Sequence, residues 1–279
     1  MRSMRHVVLV VLITLAVAPW PCAAQTAITA PAPVSLSPAE MEHFLLTAKI
    51  VKKGKRLKGV TQAQRVTLSD GRITHDAQVQ DVDIAKAFFE VDPKHSEVNF
   101  KDSYRYNVAA YQLAVLLGLE NVPMSVVRKV DGKPAAVTWW LDDDVMDQGD
   151  REKKKITTTN PRRSDDYFSR MKIFDELIQN RDRNAGNIMW TSDERMWMVD
   201  HTRAFRLGKE LLLPQTLIRI ERPLLDRLRS LNRQTLADAV GKTLTKDEID
   251  ALFTRRDLLV KLYEQKIAAR GDAVFYTLQ

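Results

Sequence analysis

The spacing of apolar residues changes partway along the chain, and this change limits the possible folds more than any other feature. From Met41 to about Val82 the pattern is that of strands. "HFLLTAKIV" is an apolar run, and "RVTLSDGRITHDAQV" sets Ser-Asp-Gly between alternating segments, which predicts a hairpin. Residues 103–119, "SYRYNVAAYQLAVLLGL", switch to helical spacing, with Tyr104, Val108, Tyr111, Val115 and Leu119 on one stripe and Gly118 near the end. "VPMSVVRKVDGKPAAVTWWL" predicts a second hairpin around Asp131-Gly132. The charged stretch "DDDVMDQGDREKKKITTTNPRRSDD" then reads as a linker. Beyond it, "DYFSRMKIFDELIQN" presents Phe168, Met171, Phe174 and Ile178 on one helical face, and several helices follow from about residue 214. In the last of them Thr245 and Glu248 have capping-box spacing. This order predicts an α+β chain of two lobes with a cleft between them. The first lobe (40–142) is β-rich with one main helix, the second (164–279) is mainly helical, and 143–163 connect them.

The N-terminus reads as a targeting segment. "MRSMRH" is basic, "VVLVVLITLAVA" is apolar but short for a membrane span, and "CAAQ" supplies small residues for cleavage after Ala24. A signal peptide over 1–24 implies export to a periplasm, an extracellular space or a secretory lumen, with an uncleaved anchor as the alternative. No stable membrane span is expected after cleavage. Residues 25–39 are rich in Ala, Pro and Thr and read as a disordered leader. The only cysteine, Cys22, falls inside the signal, which excludes disulfides and thiolate metal sites from the mature chain. Of the 43 Lys and Arg, Arg2 and Arg5 leave with the signal, so the excess over 36 Asp and Glu falls from +7 to about +5.

The chemistry-bearing residues gather in "LIQNRDRNAGNIMW", 177–190, and the following "MWMVDHTRAF". Asp182 and Asn187 share a loop, and the apolar run "MWMV" ends at Asp200. Phosphoryl transfer needs one carboxylate to orient the acceptor hydroxyl, and an amide oxygen with a second carboxylate for a hard divalent cation. The same residues also suit an ordinary polar turn.

"FDELIQNRDRNAGNIMW" and "MWMVDHTRAF" resemble the catalytic and metal-binding segments of atypical kinases: the phosphatidylinositol-kinase-like group, HipA-like bacterial toxin kinases and secretory-pathway kinases. The resemblance extends over roughly residues 45–275. It implies a bilobal kinase-like fold, ATP as co-substrate and Mg²⁺ or Mn²⁺. Asp182 takes the place of the catalytic base, Asn187 and Asp200 of the metal ligands, and Arg183 and Asp175 of residues that support the loop. Asn184 stands where relatives carry His. The first lobe departs further, because Gln80 and Asn107 occupy the positions of the usual Lys and Glu pair, and a neutral amide cannot neutralise phosphate. Lys55, Lys58 and Lys86 are the substitute cations, the first two from the glycine-containing loop "KKGKRLKG".

Two functional expectations follow. One is an exported kinase acting on a protein or small-molecule hydroxyl; the other is a pseudokinase-like module that binds a nucleotide or partner without efficient chemistry. Trp139 and Trp140 are candidates for an adenine pocket or for core. The five histidines have no zinc spacing, and neither GxSxG nor GxxxxGK[ST] occurs. "RIERPLLDRLRSLNRQ" reads as an amphipathic packing helix, so no nucleic-acid partner is expected.

Overall fold

The computed structural model describes residues 36–56, 63–92, 95–141 and 144–278. The signal, most of the leader and Lys58 lie outside the described residues. The first element is a helix, α1 (Pro38–Thr47), where the apolar run predicted a strand. Local chemistry explains the difference. Ser37 and Glu40 form a capping box and Pro38 occupies the first turn, so Phe44 and Leu45 become one buried helical face.

Strands β1 (Lys49–Arg56), β2 (Gln64–Ser69) and β3 (Thr74–Gln80) follow, with the predicted hairpin at Asp70–Gly71 between the last two. Next come β4 (Asp83–Asp92) and β5 (His95–Ser103), an antiparallel ribbon that the sequence pattern did not mark. Helix α2 (Arg105–Leu117) ends at Gly118 with φ of +63°, left-handed backbone that favours glycine, with the Arg227 guanidinium packed against it. Its core face is rotated from the predicted stripe: Ala109, Ala110, Leu113 and Leu117 are buried, while Val115 is exposed. Tyr104, Val108 and Leu119 of the predicted stripe are buried as well, and Tyr106 joins them.

β6 (Ser125–Val130) and β7 (Lys133–Trp139) turn at Asp131-Gly132, both with positive φ, as a two-residue hairpin requires. The five-stranded sheet has the order β1-β2-β3-β7-β6 and packs on α1 through Phe44, Leu68, Val126 and Val137.

The stretch read as a linker carries structure of its own: β8 (Met146–Asp147), α3 (Gln148–Lys153) and the start of α4 (Pro161–Ile178). Its many charges hid an Asp147 N-cap, an Asn160 N-cap and a proline at a helix start. Strands β9 (Ile188–Trp190) and β10 (Met196–Met198) form a small antiparallel sheet with β8. β11 (Ile220–Glu221), α5 (Arg222–Ser230), α6 (Arg233–Val240), α7 (Lys246–Arg270) and β12 (Phe275–Tyr276) complete the second lobe. Helix α5 buries Leu224, Leu225 and Leu228, which agrees with a packing helix, and α7 has the Thr245/Glu248 capping box. The largest core joins α2, α4, α5 and α7 around Phe174, Leu177, Phe205 and Tyr263. Among the described residues, no helix is long and apolar enough to cross a membrane.

Candidate functional site

Helix α4 ends where Gln179 turns into left-handed backbone (φ 47°), and the loop that follows carries the polar motif. Arg183 organises it. Its Nε and Nη2 donate to the two carboxylate oxygens of Asp175, each at 2.9 Å. Its Nη1 donates to the carbonyls of Asn187 (2.8 Å) and Val199 (2.9 Å). One buried guanidinium therefore holds the loop and the strand that leads to Asp200. Val199 N–H also donates to the Asn187 carbonyl at 3.1 Å, extending the β9–β10 pairing to residues adjacent to Asp200. Asp175 additionally accepts from the Asn180 side chain, so its carboxylate meets side chains of the loop, where the sequence reading expected it to pin loop backbone.

The loop orients each candidate group. Asn187 donates its Nδ2 to the Asp182 carbonyl at 3.0 Å, which leaves its Oδ1 as the atom to meet a cation. Asn184, at the position of the missing His, accepts from Gly186 N–H and donates to the same carbonyl. Asp200 sits at φ 52°, a region that costs most side chains roughly 1–2 kcal/mol. Three contacts hold it there: Arg183 on Val199, His201 N–H donating to Asn107 Oδ1 at 2.7 Å, and Thr202 Oγ1 donating to Asp200 Oδ1 at 3.1 Å. Such an imposed conformation is characteristic of working sites.

Asn187 and Asp200 line one interlobe cavity of about 410 Å³. Its other walls include Trp139, Trp140, Val122, Thr138 and Asn107, so the cleft combines apolar walls with a few polar groups. Both tryptophans thus face the cavity, and they are also packed: Trp139 stacks on His75 and Arg65 lies over Trp140. Among the described residues, no lysine or arginine lines this cavity. Lys55 is exposed on β1, and Lys86 is exposed on β4 with its Nζ over Phe89, so neither reaches it. Gln80 and Asn107 do meet. The Asn107 amide donates to Gln80 Oε1 in the buried position between β3 and α2, and among the described residues Gln80 Nε2 has no partner. His201 also borders the cavity, but burial and the nearby Arg183 keep its imidazole neutral, with a pKa well below the usual value.

Asp182 is half-buried and pairs with Arg203 at 3.2 Å. It does not line the cavity with Asn187 and Asp200. Asp102 relates it to Asp200. This β5 carboxylate is 0% exposed, and neither of its oxygens has a well-aligned partner. Burial raises its pKa; Thr202 and Arg203 oppose the rise, while Asp200 and Asp182 both add to it. The two candidate acids therefore lie within electrostatic reach of one group. The signal for Asp102 was present in the alternation "NFKDS", which puts an aspartate on the same face as the buried Phe100.

Among the described residues, no three His, Cys, Asp or Glu side chains converge closely enough to hold a metal ion alone. One amide oxygen and one carboxylate suit a magnesium-like ion, which usually takes its remaining ligands from phosphates and water.

No protein-family model matches the chain, and no curated protein matches it by sequence. A solved structure does match by fold: the proinflammatory kinase CtkA of Helicobacter pylori, with a TM-score of 0.52 and 13% identity over 81% of this chain and 98% of that one. The chain has a bilobal kinase-like fold. The match does not single out the phosphatidylinositol-kinase-like, HipA-like or secretory-pathway groups that the motifs resemble.

Proposed function

We propose that the protein is an exported atypical kinase that transfers the γ-phosphoryl group of ATP to a protein or small-molecule hydroxyl. The observation that carries this reading is the single clamp of Arg183, which fixes the backbone of both Asn187 and the residue before Asp200, all three lining an interlobe cavity. In this reading Asn187 Oδ1 and the Asp200 carboxylate hold Mg²⁺ or Mn²⁺, and the apolar walls around Trp139 and Trp140 receive the base. A bound divalent cation would neutralise charge on the transferring phosphate. Asp182 orients the acceptor hydroxyl and accepts its proton once Arg203 releases it. The N-lobe spanning 40–142, the connecting segment 143–163 and the C-lobe spanning 164–279 then act as nucleotide cover, hinge and catalytic half. The signal reading of 1–24 is the basis for export.

A second reading is a pseudokinase-like binding module. Its support is the neutral Gln80–Asn107 hydrogen bond where a Lys and Glu pair is expected, and a cavity without a lysine or arginine among the described residues. Measuring ATP turnover and transfer to generic acceptors by the mature chain, against Asp182→Asn, separates the two. Turnover that is lost in Asp182→Asn while nucleotide binding survives supports the enzyme. Binding without turnover in the wild type supports the module. The absence of both eliminates the two readings together.

A further inference from the structure

Behind strand β10 lies a second, larger cavity of about 950 Å³. Its walls come from α4, the loop after α2, β10, β11 and the C-terminal residues. Five arginines face it against three carboxylates, and two of those carboxylates are already engaged. Glu221 takes two hydrogen bonds from Arg170 (2.6 and 2.7 Å), and Asp272 pairs with Arg222 at 2.9 Å. Arg195 pairs with Asp193, outside the lining. Glu120 is exposed at the edge of the cavity. Among the described residues, Arg162 and Arg163 have no carboxylate within ion-pair distance. Arg163 gives its Nη1 to the Asp193 carbonyl at 3.0 Å and leaves its Nε without an acceptor.

These two arginines sit in the first turn of the 18-residue helix α4, directly after Pro161, and that turn contains no acid. Cations at a helix N-terminus oppose the helix dipole, whereas an anion there is stabilised by it. A second, independent observation points into the same space. Asn121 is 5% exposed and lines the cavity, and among the described residues neither its Nδ2 nor its Oδ1 has a hydrogen-bond partner. Leaving a buried amide unpaired is costly, so native structures generally supply a partner. Its backbone is fixed, since the Asn121 carbonyl accepts from Met198 N–H at 2.8 Å.

We propose that this cavity binds a phosphate group, with Arg162 and Arg163 gripping the phosphate oxygens and the Asn121 amide donating to one of them. Two guanidinium forks suit a dianionic tetrahedral group better than a lone carboxylate. Tyr167 and Trp197, also in the lining, offer apolar surface to the organic part. The source is either free phosphate or a phosphoserine or phosphothreonine side chain of a protein. The proposal stands apart from the interlobe chemistry, because the two cavities share no lining residue.

The test is calorimetric titration of the mature chain with inorganic phosphate, a phosphothreonine peptide and its unphosphorylated twin. Wild type, Arg162→Glu, Arg163→Lys and Asp200→Ala are compared. Arg162 is exposed, so its replacement spares folding, and Arg163→Lys keeps the charge while removing the fork. Phosphate should bind wild type and Asp200→Ala alike, about tenfold or more weaker to Arg162→Glu, and to an intermediate degree to Arg163→Lys. A phosphopeptide that binds more tightly than phosphate, with a silent twin, identifies a protein-borne ligand; equal or weaker binding identifies free phosphate. The proposal is overturned if wild type takes up no phosphate at millimolar concentration. It is equally overturned if Arg162→Glu binds as wild type does, or if Asp200→Ala abolishes the binding.

Discussion

Replacing Arg183 with Met removes the clamp on which the candidate site rests, and its cost can be worked out from the contacts. Arg183 and Asp175 side chains are only 9% and 13% exposed, so the variant strands a carboxylate in a poorly hydrated place. Removing one partner of a buried pair typically costs about 3–5 kcal/mol, much of it the desolvation of the group left behind. Asn187 O keeps Val199 N–H as a donor, whereas the bond from Arg183 to Val199 O goes unreplaced. Equilibrium urea denaturation should therefore show a loss of about 3–5 kcal/mol, or roughly 6–20 °C in Tm for a chain this long. Adding Asp175→Asn to Arg183→Met should recover part of the loss, because the stranded charge is gone. A double-mutant cycle reads this as a coupling energy above about 1 kcal/mol. A loss under 1 kcal/mol for Arg183→Met, or no recovery in the double variant, would refute the clamp as the organising contact.

Asp200→Gly should leave stability within about 1 kcal/mol, since glycine accepts the positive φ, yet remove divalent-cation binding measured by calorimetry. Gln80→Lys alone buries an unpaired charge and should lower the unfolding free energy by about 3 kcal/mol; combined with Asn107→Glu it should recover stability and tighten nucleotide binding. Glu248 joins Lys101 of β5 (2.6 Å) and Tyr106 of α2 to helix α7. Burial favours its protonated form, but Lys101, Tyr106 and the Thr245 N–H outweigh that and hold it below the usual carboxylate range. A depressed folded pKa gives stability that is present above the unfolded value and lost as pH falls through the folded one. The acid limb of a stability–pH curve should accordingly flatten in Glu248→Gln.

The two-lobe order and both hairpins were legible because turn chemistry is local: Asp70-Gly71 and Asp131-Gly132 need no tertiary information. The polar motif was legible for the same reason, since Asp182, Asn187 and Asp200 are close in sequence. The run of nine apolar-rich residues that overlaps α1 fits both periods, and the helix's N-cap, Ser37, lies within the stretch read as leader. The β4–β5 ribbon was missed because its sides are mixed: Phe88 and Val98 are exposed while Phe100 is buried. Asp102 left a local signal in the alternation with Phe100, whereas the cavity behind β10 was out of reach because it depends on long-range placement. Arg162 and Asn121 are distant in sequence and meet only through α4 and the loop after α2.

The central claim, one cation held by Asn187 and Asp200, is tested most directly by electron paramagnetic resonance of Mn²⁺ titrated into the mature chain with ATP. The account predicts one bound Mn²⁺ per wild-type chain, its loss in Asn187→Ala and in Asp200→Ala, and its retention in Asp182→Ala. Mn²⁺ bound undiminished by both the Asn187 and the Asp200 variants would contradict it.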